Sequence, residues 1–162
     1  MARTGASSPI TSGNRSRVLA IASGGGHWIQ LQRLRPAFEG HDMFWVAADP
    51  ELADGIETGR FFPVQDANRD TPFLMLKTIL EVLRIVLRVR PDFVLTTGAA
   101  PGLFGIVFGK LLGARTIWID SVANAEEVSM SGRLVRPFAD IVLTQWSHLA
   151  GPQGRRFEGA VL

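Results

Sequence analysis

Three short stretches of this chain hold residue types and spacings that could do chemistry. The first is Ser23-Gly24-Gly25-Gly26-His27. Consecutive glycines let backbone N–H groups approach an anion closely, and histidine supplies a proton-transfer group near neutral pH. A phosphate or diphosphate suits such a loop when a helix follows it and adds the positive end of its dipole. The same residues would also serve as a tight turn with His27 as a solvent-facing cap. The second stretch, Thr96-Thr97-Gly98-Ala99-Ala100-Pro101-Gly102, joins hydroxyls to small residues. Thr97, Gly98, Ala99 and Gly102 would form the other wall of a diphosphate cleft, or simply let the next helix pack closely. The third is Asp120-Ser121, with Asn124, Glu126 and Glu127 after it. Asp120 could act as a general base or hold a sugar hydroxyl, with Ser121 and Asn124 as further ligand contacts. Asp and Ser at such points also act as turn formers or helix caps. Glu126 and Glu127 read as solvated. No metal and no cofactor is expected.

Positioning these stretches requires alternating strands and helices. Residues 18–22 are a continuous apolar run of strand length, buried on both faces if it lies in a parallel sheet. From His27 the period changes, with Trp28, Leu31, Leu34 and Phe38 at helical spacing and Pro36 ending or kinking the helix. Strands are expected at 43–48 and 61–64, then an Asn/Asp-rich turn at 66–70 and a helix over 72–90 between Thr71-Pro72 and Pro91. A strand at 93–97, a helix at 103–112, a strand at 115–119, a polar loop at 120–127, a helix near 129–138 and a strand at 140–145 complete the series. The pattern predicts an α/β fold, a Rossmann-like parallel sheet with helices on both faces, as one domain over residues 17–162. Ligands in such sheets sit beyond the carboxyl ends of the strands, where all three stretches fall. Residues 1–16 lack an apolar core, exclude a secretory signal and read as a disordered leader.

Composition sets the outer bounds. With 46% hydrophobic and 20% charged residues the 162-residue chain can bury a sizeable core. The formal net charge is only +2, so no nucleic-acid partner is expected. The absence of cysteine excludes disulfide frameworks, Cys-ligated zinc and thiol chemistry. On the helix 72–90, Lys77, Glu81, Arg84 and Arg88 fall at i, i+4, i+7 and i+11, and nearly everything else is apolar. A single core-facing stripe would leave much of that circumference exposed, which points to a membrane or a partner. Ionisable groups interrupt the run, whereas a transmembrane helix needs roughly 20 predominantly apolar residues. A basic amphipathic helix on an anionic bilayer surface fits better, the alternative being a helix covered on two sides within the protein.

The order of motifs adds a further level. SGGGHWIQLQRLRPAFEGHD, then TTGAAPG, then GARTIWIDS, then SGRLVRPFADIVLTQW resembles the asparagine-linked glycosylation protein fourteen family and its bacterial counterparts in exopolysaccharide and capsule gene clusters, from residue 18 to the C-terminus. The resemblance implies the acceptor-binding, N-terminal half of a split GT-B glycosyltransferase, with a separate donor-binding subunit completing a heterodimer. It further implies sugar transfer from a nucleotide donor, usually a UDP-sugar, to a lipid-diphosphate-linked saccharide by a cytoplasmic protein attached peripherally to the cytoplasmic membrane. On that basis residues 23–27 and 97–102 would surround the lipid diphosphate, and His27 and Asp120 would be the candidate catalytic groups. Eukaryotic members begin with a membrane-spanning helix; residues 1–16 cannot span, so membrane contact would come from 72–90. Residues 157–162, FEGAVL, are expected to dock on the partner. Two alternatives stand beside this reading. A nicotinamide-dinucleotide domain would use Gly24-x-Gly26 and Asp49 at the end of the second strand, although Ile29 replaces the third Gly or Ala of that fingerprint. A non-catalytic membrane scaffold would need His27 and Asp120 for assembly only.

Overall fold

The structure, a computed structural model, describes residues 15–57, 59–65, 71–151 and 154–161. Most of the expected leader and the turn at 66–70 lie outside these residues. Among the described residues β1 (Arg17–Ile21), β2 (Asp42–Ala47), β3 (Phe61–Pro63), β4 (Phe93–Thr96), β5 (Arg115–Ile119), β6 (Ile141–Thr144) and β7 (Arg155–Phe157) form one sheet. Its order is β3-β2-β1-β4-β5-β6-β7, and every neighbouring pair is parallel. This is the Rossmann-like sheet that the apolar runs predict.

Alternation along the strands sorts the core into two layers. Leu19 and Ile21 of β1 face one side with Val46, Val94, Trp118 and Val142, and α2 (Pro72–Val89) and α3 (Ala99–Leu111) cover them with Val82, Val86, Val89 and Ile106. Ala20 and Ala22 face the other side with Trp45, Ala47, Leu95 and Ile119. There α1 (Gly25–Arg33) packs Trp28 and Leu31, aided by the 3-10 turns Arg35–Phe38 and Pro50–Ala53. The Trp28 ring meets Trp45 and Phe61 edge-on at 5.7 and 6.0 Å between centroids, geometry that aromatic pairs favour.

Close approach of α3 to the sheet depends on a glycine stripe. A Cβ at Gly102 would lie 2.0 Å from Thr96 Oγ1, at Gly105 2.1 Å from Ile21 Cδ1, and at Gly109 2.5 Å from Val94 Cγ2. The helix therefore rests almost backbone-on-sheet over β1 and β4, at the centre of the molecule.

Several boundaries differ from expectation. α1 begins at Gly25, before His27, because extended Gly24 and left-handed Gly25 (φ +51°) complete the turn inside the glycine run. α3 begins at Ala99 instead of 103, since Pro101 falls within the first turn, where its missing N–H costs no intrahelical bond. The helix near 129–138 shrinks to α4 (Met130–Leu134), because Pro137 has no N–H to continue the helical ladder. β7 is an addition, and it takes Phe157 from the expected docking tail into the sheet opposite Thr144.

The outward side of α2 remains apolar. Phe73 is 88% exposed, and Leu76, Leu80 and Leu87 are exposed with it, while Arg84 has no partner among the described residues. No helix among the described residues is long and apolar enough to cross a membrane.

Candidate functional site

Strand order reverses between β1 and β4: after β1 the chain moves toward β2 and β3, after β4 toward β5, β6 and β7. Crevices form outside the carboxyl ends of strands at such a point. β1 runs into the glycine loop and β4 into the Thr97-Gly98 turn, and the two loops hold each other. His27 Nδ1 donates to the Thr97 carbonyl oxygen at 2.8 Å, and Thr97 Oγ1 donates to the His27 carbonyl at 2.7 Å. A carbonyl oxygen only accepts, so the hydrogen sits on Nδ1 and fixes the tautomer. In the neutral ring Nε2 is then the acceptor, and it has no partner among the described residues.

Gly98 makes this contact possible. A Cβ there would lie 2.8 Å from His27 Cε1, and its φ of +130° suits glycine alone. Ala99 at the first position of α3 has φ +67°, a left-handed conformation that an alanine adopts at a cost. Strained backbone therefore lies directly beside the histidine.

A cleft of about 220 Å³ opens here, lined by His27, Gly98, Ala99, Asp120, Ser121 and Asn124, together with Ala123, Ser129, Met130 and Ser131. Six of the expected site residues thus meet in one place. Thr97 lies just behind, committed to His27. The glycine loop leads into His27 without lining the cleft, and a Cβ on Gly24, Gly25 or Gly26 would meet nothing within 4 Å, so its outer side is open. Ser23 faces the sheet side of this loop, its carbonyl accepting from the Ala48 N–H at 2.6 Å. Gly102 is a correction, since it is buried against Thr96 and serves helix packing instead of lining the cleft.

Asp120 also differs from the expectation of a free base. It is only 2% exposed, and its carboxylate accepts from Trp118 Nε1 at 3.2 Å, the Ser129 N–H at 2.9 Å, Ser129 Oγ at 2.5 Å and Asn124 Nδ2 at 3.4 Å. Both oxygens are taken up in holding the 121–129 segment, with charge-assisted bonds of the stronger kind. Ser129 in turn caps α4, accepting from the Gly132 N–H at 2.9 Å.

Further groups that sequence reasoning missed brace the same segment. Gln30 and Gln145, both buried, bond to Ser121, Val122 and the Asp120 carbonyl. Trp146 Nε1 donates to the Val122 carbonyl at 2.8 Å, and His148 Nε2 donates to the Ala125 carbonyl at 2.7 Å. The one available signal was Gln30, polar and three residues after His27 within an apolar helix face. Asp49, the acid a dinucleotide site would use, caps its own 3-10 turn by accepting from the Glu51 N–H at 2.9 Å.

A larger hollow of about 640 Å³ lies at the opposite edge of the sheet, lined by Arg17, Arg90, Asp92 and Arg115 at the starts of strands. Here the Arg17 N–H, donating at 2.7 Å, holds the Asp92 carboxyl below its usual range. Near the start of β6, a hydrogen bond from Lys110, helped by Thr116, does the same for Asp140. Neither group touches the cleft.

The family profile described as "Oligosaccharide biosynthesis protein Alg14 like" matches residues 55–161. The chain belongs to the Alg14 family. Similar curated proteins include the "UDP-N-acetylglucosamine transferase subunit alg14" of Aspergillus fumigatus, 50% identical over 42 residues that make up 26% of this chain and 18% of that protein. The subunit of the same name from Schizosaccharomyces pombe is 34% identical over 37% of this chain and 31% of its own length. The mouse ALG14 subunit is 30% identical over 40% of this chain and 33% of its own length. The Alg14-family chain therefore aligns with no more than about a third of each of these relatives. Among solved structures, MurG of Acinetobacter baumannii superposes with a TM-score of 0.71 at 15% identity, over 88% of this chain and 45% of that one. A UDP-N-acetylglucosamine 2-epimerase from Rickettsia bellii gives 0.68 at 15% identity, over 91% and 46%. These likenesses establish the fold: this Alg14-family domain matches under half of each of those longer chains.

Proposed function

We propose that this Alg14-family chain is the acceptor-binding subunit of a two-component glycosyltransferase, which moves a sugar from a UDP-sugar donor to a lipid-diphosphate-linked saccharide. The observation that carries this reading is the clasp at the strand-order reversal. A glycine loop with an open outer side leads into α1, whose first turn carries a histidine of fixed tautomer onto one polar cleft. N–H groups at the start of α1 would take the diphosphate, favoured by the helix dipole.

Nε2 of His27 would remove the proton from the acceptor hydroxyl as that oxygen attacks the anomeric carbon and the nucleotide diphosphate departs. The Nδ1–H bond to Thr97 keeps the resulting imidazolium oriented. Ser121 and Asn124 would contact the saccharide, and Asp120 would act through the segment it holds. The donor half of the site would come from a partner subunit, as the word "subunit" in the relatives' names suggests. The exposed stripe of α2 and Arg84, which has no partner among the described residues, support peripheral attachment to an anionic cytoplasmic membrane surface.

The test is His27→Ala in the chain reconstituted with a donor-binding subunit and assayed at saturating lipid-diphosphate acceptor. Loss of a proton-transfer group lowers turnover by about 10²–10⁴-fold. Near-normal turnover would remove His27 from the chemistry and leave the chain as an acceptor-binding or scaffolding subunit.

A further inference from the structure

We infer that Gln30 and Gln145 are positioning residues that connect the C-terminal segment to the wall of the cleft. The inference rests on the reading of that cleft as a phosphate-binding acceptor site. Both side chains lie in the interior, Gln30 at 6% and Gln145 at 4% exposure. Gln145 stands just past β6, where the sheet ladder stops. Its Nε2 donates to Gln30 Oε1 at 2.6 Å and to the Asp120 carbonyl at 3.0 Å, and its Oε1 accepts from the Val161 N–H at 2.7 Å. Gln30, one helical turn beyond His27, donates through Nε2 to Ser121 Oγ at 3.1 Å, while its Oε1 also accepts from the Val122 N–H at 3.2 Å.

The orientation of both amides follows from these partners. The N–H groups of Val122 and Val161 can only donate, so each must face an oxygen, and the NH₂ groups are left for Ser121, Asp120 and the other amide. Removing one member strands the others in a dry interior, where an unpartnered polar group costs more than the bond it loses. The consequence is geometric. Gln30 sets the separation between the helix that carries His27 and the wall at Ser121 and Val122, and Gln145 fixes the rotamer of Gln30. Val161 holds Gln145. A backbone group far along the chain, 16 residues past Gln145, thus belongs to the support of the cleft. Whatever displaces the C-terminal segment would loosen that wall.

The test compares variants of the 162-residue chain by amide hydrogen exchange and by titration with inorganic pyrophosphate. Val161→Pro deletes the donor, since proline has no N–H, and leaves both glutamines in place. Gln145→Met keeps the volume and deletes the polar links. Gly109→Ala, which crowds Val94 away from the cleft, serves as a destabilised control. Each of the first two variants is expected to speed exchange at Val122 by at least tenfold and to weaken pyrophosphate binding to a similar degree. The double variant should add nothing further, and the control should leave binding unchanged. Unchanged Val122 exchange in Val161→Pro, or additive losses in the double variant, would overturn the inference. If Gln145→Met does not fold, Val161→Pro decides alone. If the wild-type chain shows no pyrophosphate binding, the phosphate reading of the cleft fails, while the exchange arm still decides the connection.

Discussion

Gly98→Ala and Gly102→Ala change two glycines of one motif by the same methyl group, and the structure gives them different outcomes. At Gly98 the new Cβ meets His27 Cε1 at 2.8 Å on a backbone with φ +130°. A non-glycine residue forced into such a conformation costs about 1–3 kcal/mol. Displacing the ring also breaks the 2.8 Å bond to Thr97, for about 1 kcal/mol more. Destabilisation of about 2–4 kcal/mol follows, with Tm falling roughly 2–4 °C per kcal/mol for a domain of this size. His27 moves as well. At Gly102 the new Cβ would lie 2.0 Å from Thr96 Oγ1, buried beneath α3, and overpacking of this kind costs about 1–3 kcal/mol. No Cβ there reaches His27; the clash falls on Thr96, whose Oγ1 also accepts from the Gly98 N–H at 3.1 Å, so Gly98 feels it only through that bond. Thermal unfolding of both variants, with nitrogen-15 shifts of the His27 ring as the local readout, separates the two effects. Gly98→Ala should lose the signature of a hydrogen-bonded Nδ1–H at temperatures where it is still folded, and Gly102→Ala should retain it. An unperturbed His27 signature in folded Gly98→Ala would refute the idea that the two loops depend on each other.

Other outcomes follow from the same geometry. Calorimetric titration of the isolated chain with UDP-sugars should show little or no binding, because the described residues form a single Rossmann-like sheet and the proposed donor half belongs to a partner; low-micromolar affinity would contradict the two-subunit reading. Replacing Arg84 and Arg88 by Glu should release the protein from anionic vesicles, each basic residue near such a surface contributing about 1 kcal/mol. Undiminished vesicle binding would turn that face of α2 toward protein instead. For Asp140 the folded carboxyl titrates below its ordinary 3.8, so its stabilisation is present above that value and is lost as pH falls through the lower folded value. Asp140→Asn should accordingly be less stable than wild type at neutral pH, and the gap in unfolding free energy should close in acid below about pH 4. A gap that stays constant with pH would show that the ion pair with Lys110 contributes nothing.

Most of the scaffold was legible because buried parallel strands write themselves as apolar runs. Residues 18–22, 93–97 and 115–119 needed no tertiary information, and the glycine turns located the functional edge. What stayed hidden depends on long-range contact. Gln30 reads like any polar helix residue, yet its partner Gln145 lies 115 positions away. Asp120 left both a base and a cap open, and only its burial with four donors separates them. Gly102 and Gly98 look alike in sequence, but one touches the sheet and the other the histidine. β7, with Arg155 and Arg156 in three residues at the sheet edge, carries no apolar period at all.

The reciprocal bonds between His27 and Thr97 link positions 70 residues apart, on either side of the point where the fold changes direction. Neither turn can drift alone. A side chain at 98 has no room while an imidazole occupies 27, and a residue without a ring nitrogen at 27 leaves the Thr97 carbonyl without its donor. In evolutionary terms the two loops form a single inherited character. Across the lineage, positions 27, 97 and 98 should change together or not at all, whereas Gly24 and Gly26, facing open space, carry no such tie.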